Sequence, residues 1–348
     1  MTVLLFIAGI VVLVAGGELL VRGAARLAAA TGISPLVVGL TVVAFGTSSP
    51  ELAVSVQASL AGEVDIAVGN VVGSNIFNVL LILGFSAAIV PLVVSAQLVR
   101  LDVPIMIGIS GLLLLLSLDG LLSRAECMLL AGGLVAYIGL QIVLSRRSPY
   151  ETEEEPVDTG RPLINILLIL AGLALLVLGS RWLVQAAVQI AEAFGVTPLV
   201  IGLTIVAAGT SMPELATSVV AGVRGQRDIA VGNIIGSNIF NILAVLGISG
   251  AVSPTGIPVS NAALTLDLPV MVAVAVLCVP IFRKHAITRW EGLLFVAYYV
   301  IYAGYLVLDS ANHEGLAEYR TLVLTTVLPL TLMTVLVFSF RRGRPGHG

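Results

Sequence analysis

Apolar residues fill this chain in runs far longer than the face of a soluble helix requires, and short polar stretches separate them. Runs able to cross a hydrocarbon layer of roughly 30 Å are predicted at 3–29, 35–60, 66–90, 101–117 and 122–144. A second set follows at 163–192, 198–222, 229–252, 264–281 and 288–308. Between the sets lies "SRRSPYETEEEPVDTGRP", residues 145–162, and a last run at 321–340 precedes a basic tail. The pattern predicts an all-α polytopic membrane protein. Its expected divisions are a five-helix unit (1–144), a cytoplasmic linker (145–162), a second five-helix unit (163–308), and an eleventh helix with its tail (309–348).

The two sets of spans are copies of one another. Residues 38–84 align with 201–247 without a gap, at a constant offset of 163, and 31 of the 47 positions are identical. A weaker echo continues in "LDVP" at 101 and "LDLP" at 266. Many of the shared positions are polar, which generic apolar helices do not explain. Each unit has an odd number of spans, so the second copy enters the membrane from the opposite side. The units are inverted repeats.

Charge placement gives an independent orientation. With the N-terminus outside, the inner loops and tail hold Arg100, Arg146, Arg147, Arg161, Arg224, Arg227, Arg283, Lys284, Arg289, Arg341, Arg342 and Arg344. The outer side holds only Arg124 and Arg320. This positive-inside bias puts the C-terminus in the cytoplasm of a plasma-membrane protein. The N-terminus lacks a positive n-region and a small-residue cleavage site, so it reads as a first membrane helix rather than a removed signal.

Composition agrees with a membrane class. Of 348 residues, 58% are hydrophobic and 11% charged, and mean hydropathy is +1.10. A soluble domain is about a quarter charged. Glycine, at 36 residues, suits closely packed membrane helices. The net charge of −3 comes without a basic stripe, so no nucleic-acid partner is expected. Cys127 and Cys278 have neither metal spacing nor a disulfide framework and read as packing residues.

Against this background two polar motifs stand out: "GTSSPEL" at 46–52 and "GTSMPEL" at 209–215. Each places a glutamate behind a proline inside a membrane span. Proline lacks an N–H and clashes with the carbonyl four residues back, so Pro50 and Pro213 are expected to break their helices near Ala44–Thr47 and Ala207–Thr210. Non-helical backbone at membrane depth must line a cavity or be buried in protein. Thr47, Ser48, Thr210 and Ser211 add hydroxyls, and Glu51 and Glu214 add carboxylates. A second motif, "GSNIFN", spaces Ser74 from Asn78 and Ser237 from Asn241 by four residues, one helix face each. A pseudo-two-fold axis in the membrane plane would gather both sets at one midplane site, rich in oxygen and without sulfur or imidazole. That donor set suits a hard cation: Ca²⁺, Na⁺ or Mn²⁺. An intramembrane acid also carries a cost of a few kcal/mol or more, so it points to function.

Other polar residues have simpler readings. Asn75 and Asn238 face away from the Ser–Asn side and suit helix–helix hydrogen bonds. Asp65, Asp228, Asp102 and Asp267 are expected as caps. Glu18 and Arg22 are spaced for an i, i+4 pair, and "ETEEE" reads as a solvated charge run.

At the GTSxPE and GSNIFN pairs the chain resembles the cation/Ca²⁺ exchanger superfamily, and within it the prokaryotic Na⁺/Ca²⁺ exchangers. The similarity covers about residues 1–308. It implies a ten-helix inverted-repeat fold with four cation sites between the second, third, seventh and eighth spans. Ca²⁺ takes a central site, and up to three Na⁺ occupy the cluster in alternation. It further implies Glu51 and Glu214 as central ligands, with Thr47, Ser48, Ser74, Thr210, Ser211, Ser237 and the carbonyls of Ala44 and Ala207 completing the sites. Asn78 and Asn241 join this candidate set from the spacing above. The first and sixth helices would slide against a static core. No cofactor is expected beyond the transported ions, and the partners are Ca²⁺, Na⁺ and the bilayer. Three features depart from the pattern. Asn241 is aspartate in some relatives, the linker is too short for a Ca²⁺-sensing domain, and the run at 321–340 lies outside the ten-helix plan. A proton- or K⁺-coupled exchanger, a Mn²⁺ or Mg²⁺ exchanger, a channel, and an intramembrane metal hydrolase remain as alternatives. The hydrolase is disfavoured because His285, His313 and His347 all lie in loops or the tail.

Overall fold

Long apolar helices dominate the structure, a computed structural model that describes residues 2–62, 65–147, 161–195, 207–310 and 316–323, with 201, 205 and 325. The first half contains α1 (Thr2–Thr31), α2 (Pro35–Thr47), α3 (Ser49–Ala61), α4 (Ile66–Ile89), α5 (Leu98–Leu116) and α6 (Arg124–Arg146). The second contains α7 (Pro162–Ala193), α8 (Met212–Val223), α9 (Arg227–Val252), α10 (Ala263–Phe282) and α11 (Arg289–Asp309). A short helix, α12 (Leu316–Leu322), follows. The broken second span matches the proline logic: α2 and α3 meet at 44°. In the second half, only the short turn Ala207–Gly209 of the segment preceding α8 is described as a continuous element. Most of residues 198–206, the start of the run expected at 198–222, and most of the eleventh span at 321–340 lie outside the described residues.

The interior is apolar, and the outer surface is apolar as well. α9 is buried along its whole apolar length, and α4 along most of it, whereas α1, α6, α7 and α11 show mostly lipid-facing surface. Val3, Ile7, Ile10 and Val14 line up at helical spacing on the outer face of α1, as do Leu163, Ile166, Leu167 and Leu170 on α7. The core is therefore α2–α4 with α8–α9, and the outer helices cover it.

α1 and α7 cross with their backbones in contact, and glycine makes this close approach feasible. A Cβ on Gly172 would sit 2.6 Å from Leu20 N, and one on Gly16 would sit 2.8 Å from Leu176 N. Two small antiparallel ribbons tie the halves together, and each strand buries one apolar side chain in the core. β1 (Leu92–Val93) pairs with β4 (Ala286–Ile287), and β2 (Leu121–Leu122) with β3 (Ile257–Pro258).

The aspartates expected as caps behave differently. Asp102 and Asp267 make no capping bond. Asp102 is buried and accepts from Gln97, Tyr137 and Gln141, while Asp267 accepts from Tyr302. Each lies inside a continuous helix, where a π-helical turn runs into an α-helical one, so there is no helix start to cap and the carboxylates meet donors on neighbouring segments. Asp228 lies in the first turn of its helix, after an N-cap at Gln226.

Candidate cation site

The break in the first half centres on Ser48, whose backbone (φ −81°, ψ 6°) leaves the helical region. This is one residue beyond the expected Ala44–Thr47. The carbonyl that Pro50 cannot bond, Gly46 O, accepts the Ser49 hydroxyl at 2.7 Å. Ala44 O accepts the Ser48 N–H at 3.0 Å and the Thr47 hydroxyl at 3.3 Å. The second break centres on Ser211 (φ −91°, ψ 8°). There the orphaned carbonyl, Gly209 O, accepts the hydroxyl of Ser180 on α7 at 2.6 Å.

Each break then reaches across the pseudo-two-fold axis. The Ser48 hydroxyl donates to Glu214 Oε1 at 3.0 Å, and the Ser211 hydroxyl donates to Glu51 Oε1 at 3.1 Å. Ser211 Oγ also lies 3.1 Å from Ser74 Oγ. Thr47 donates to Asn233 Oδ1 at 3.0 Å, and Thr210 to Asn70 Oδ1 at 3.4 Å. The two asparagines hold their own half in place. Asn70 Nδ2 binds Glu51 O and Ser55 Oγ, and Asn233 Nδ2 binds Glu214 O and Ser218 Oγ. Thr47 and Ser237 lie beside the Glu214 carboxylate, and the two glutamates are close enough to interact electrostatically.

Sequence reading did not single out Asn70 and Asn233. The signal was present: Asn70, Ser74 and Asn78 are four apart, as are Asn233, Ser237 and Asn241, so each trio lines one helix face. At the third member of each trio the helix widens. Asn78–Leu83 and Asn241–Leu246 are π-helical turns, a form that often occurs at functional positions.

Both glutamates are completely buried, at 0% exposure. Each uses one carboxylate oxygen in the cross-bond. Glu51 Oε2 and Glu214 Oε2 are buried without a hydrogen-bond partner, as are Asn78 Oδ1, Asn241 Oδ1 and Ser237 Oγ. A buried polar atom left unpaired costs about 1–3 kcal/mol, and a carboxylate more. A cation bound by these oxygens would offset that cost. Among the described residues no group of three or more His, Cys, Asp or Glu could hold a metal. The donors are two carboxylates with neutral oxygens, the set that hard cations favour. Asn75 has the helix–helix role expected of it: its Nδ2 donates to Asn238 O, and its Oδ1 accepts from Asn241 Nδ2 at 3.0 Å. Asn238 does not share that role, because its own side-chain amide has no partner.

Comparison with known proteins matches this architecture. Residues 1–143 and 164–308 fit the family model described as sodium/calcium exchanger protein. The putative antiporter CaxA of Alkalimonas amylolytica is 39% identical over 315 residues, covering 87% of this chain and 97% of that one. The inner membrane protein YrbG of Escherichia coli is 40% identical over 285 residues, covering 78% of this chain and 86% of its own. Among solved structures, the sodium-calcium exchanger NCX_Mj soaked with Na⁺ and Sr²⁺ superposes with a TM-score of 0.75 at 31% identity. The match covers 86% of this chain and 96% of that one.

Proposed function

Because the chain belongs to the sodium/calcium exchanger protein family, we propose that it is a secondary antiporter that extrudes Ca²⁺ in exchange for Na⁺ through one shared oxygen site. The observation that carries the reading is the pair of buried, partnerless carboxylate oxygens, Glu51 Oε2 and Glu214 Oε2. Their two negative charges match one Ca²⁺ or two Na⁺, so either load neutralises the centre.

In this reading Glu51 and Glu214 are the central ligands. Thr47, Ser48, Ser74, Asn78, Thr210, Ser211, Ser237 and Asn241 supply neutral oxygens around them, with the carbonyls of Ala44 and Ala207. Ca²⁺ takes six to eight oxygens, and Na⁺ accepts the same hard donors. Asn70 and Asn233 position the site by fixing the backbone behind each glutamate. α1 and α7, joined through glycine, slide as a unit and expose the site alternately. The arginine-rich loops face the cytoplasm, the N-terminus faces outward, and the protein resides in the inner membrane. Mirror-related sites at helix breaks suit alternating access.

The test is flux in vesicles reconstituted with the purified chain. Ca²⁺ uptake should follow an outward Na⁺ gradient. It should not follow a K⁺ or pH gradient of equal size. Uptake driven by either of those and not by Na⁺ would replace the coupling ion.

A further inference from the structure

Outside the ion site, a second polar cluster is left unused by exchange. Glu18, Arg22 and Arg26 recur every fourth residue on one stripe of α1. Arg224 and Gln226, just past the end of α8, face that stripe across a cavity of about 300 Å³. Glu18 binds Arg22 at 3.1 Å and Arg224 at 2.7 Å. One carboxylate is thus shared between two guanidinium groups, and Arg26 lies in the same lining. Arg22 and Arg224 keep more than half of their side-chain surface exposed.

The repeat shows that packing does not require this cluster. At the offset of 163, the counterparts of Glu18, Arg22 and Arg26 are Arg181, Gln185 and Gln189, and those of Arg224 and Gln226 are Ala61 and Glu63. The mirror positions carry one arginine and no arginine pair. The cavity is a feature added at one end of a symmetric frame.

We propose that this cavity binds a phosphate group and that the headgroup of an acidic membrane phospholipid supplies it. Guanidinium forks match phosphate oxygens in pairs, and basic pockets between membrane helices suit lipid headgroups. The cavity adjoins a helix whose outer face carries Val11 and Val14, both exposed, so acyl chains have an apolar surface to follow. Glu18 acts as an internal competitor for the same arginines. A phosphate held by Arg22 and Arg224 would bridge α1 to the end of α8.

The test uses the purified full chain, taken from vesicles of phosphatidylcholine and phosphatidylglycerol and weighed intact by mass spectrometry. The wild type should retain phosphatidylglycerol over phosphatidylcholine. Arg22→Gln with Arg224→Ala, the residues found at the mirror positions, should lower that preference by about fivefold per arginine. Glu18→Gln should raise it, a gain that misfolding cannot imitate. A second arm presents inorganic phosphate to protein in phosphatidylcholine alone. Arginine-dependent phosphate adducts without any phosphatidylglycerol preference would overturn the lipid as the source. Retention unchanged in both variants, with no phosphate adduct, would overturn the site.

Discussion

The two helix breaks differ at one residue of seven, Ser49 against Met212, and that difference reaches beyond the break itself. In the first half, Ser49 satisfies the orphaned Gly46 carbonyl from within its own turn. Methionine has no donor, so the second half takes Ser180 from α7. One break bonds its carbonyl from within, and the other from the helix pair proposed to move. The surrounding packing leans the same way. α1 lies along α8, where Gly17 approaches Ala216 O and Val220, whereas α7 makes no comparable contact with α3. In the proposed orientation, α8 leads from the site toward the cytoplasmic side, so α1 covers that path. The mirror path along α3 is the less covered one. The cross-bonds themselves are mirrored, with each serine bonded to the opposite glutamate. Mirrored cross-bonds inside an asymmetric cover are what a two-state carrier caught on one side should show.

The largest expected effect tests the symmetric part. Glu51→Gln and Glu214→Gln should each reduce Na⁺-driven Ca²⁺ uptake to background, because one carboxylate leaves a divalent ion half compensated in a poorly polarisable site. The two losses should be equal within error. Near-wild-type flux in either purified variant would remove that glutamate from the site.

Next comes the contact between the moving helices. Gly172→Ala forces a Cβ to within 2.6 Å of Leu20 N, whereas a Cβ on Gly69 meets nothing within 4 Å. Overpacking costs about 1–3 kcal/mol, so Gly172→Ala should lower both thermal stability and turnover. Gly69→Ala should change neither appreciably. Equal behaviour of the two would mean that the α1–α7 contact is looser than its backbone distances show.

Removing the two rescuing hydroxyls sharpens the opening comparison. Ser49→Ala and Ser180→Ala each leave a carbonyl without its hydroxyl donor, a loss of about 1–3 kcal/mol if the carbonyl stays dry. Of the two hydroxyls, only that of Ser180 bonds the core to α7. Ser180→Ala should therefore change the exchange rate as well as stability, whereas Ser49→Ala should act on stability alone. The check is flux measured beside thermal unfolding for both variants. A rate change in Ser49→Ala of the same size would sink the distinction.

The smallest effect is that of pH. Protons and Ca²⁺ compete for the same carboxylate oxygens, so apparent Ca²⁺ affinity should fall on acidification, by at most about tenfold per pH unit for one competing proton. Titration of Ca²⁺ binding across mildly acidic to alkaline pH checks this. A flat profile would contradict a shared site.

Much of this was legible in the sequence. The spans came from apolar run length, and the repeat came from a constant offset with polar identities. Glu51 and Glu214 came from acids where membrane chains avoid them. What the repeat could not supply was contact across the axis. It identified Ser180 only as the counterpart of Gly17, which has no hydroxyl, so symmetry pointed away from it. The π-helical turns after Asn78 and Asn241 have no local sequence signal, because Val, Ile and Leu follow as in any apolar helix. Asp102 looked like a cap because capping is local, whereas its actual donors Tyr137 and Gln141 lie far along the chain.

The central claim is that one pair of glutamates serves both ions and cannot cross uncompensated. Burying even one unpaired charge costs several kcal/mol, and about 1.4 kcal/mol slows a step tenfold. The direct measurement loads vesicles with labelled Ca²⁺ and dilutes them into choline buffer at neutral pH with the membrane potential clamped. Efflux should start on adding external Na⁺ or unlabelled Ca²⁺, and should be orders of magnitude slower in choline alone. Equally fast efflux into choline would show that the empty site returns freely, and the protein would be a channel or a uniporter.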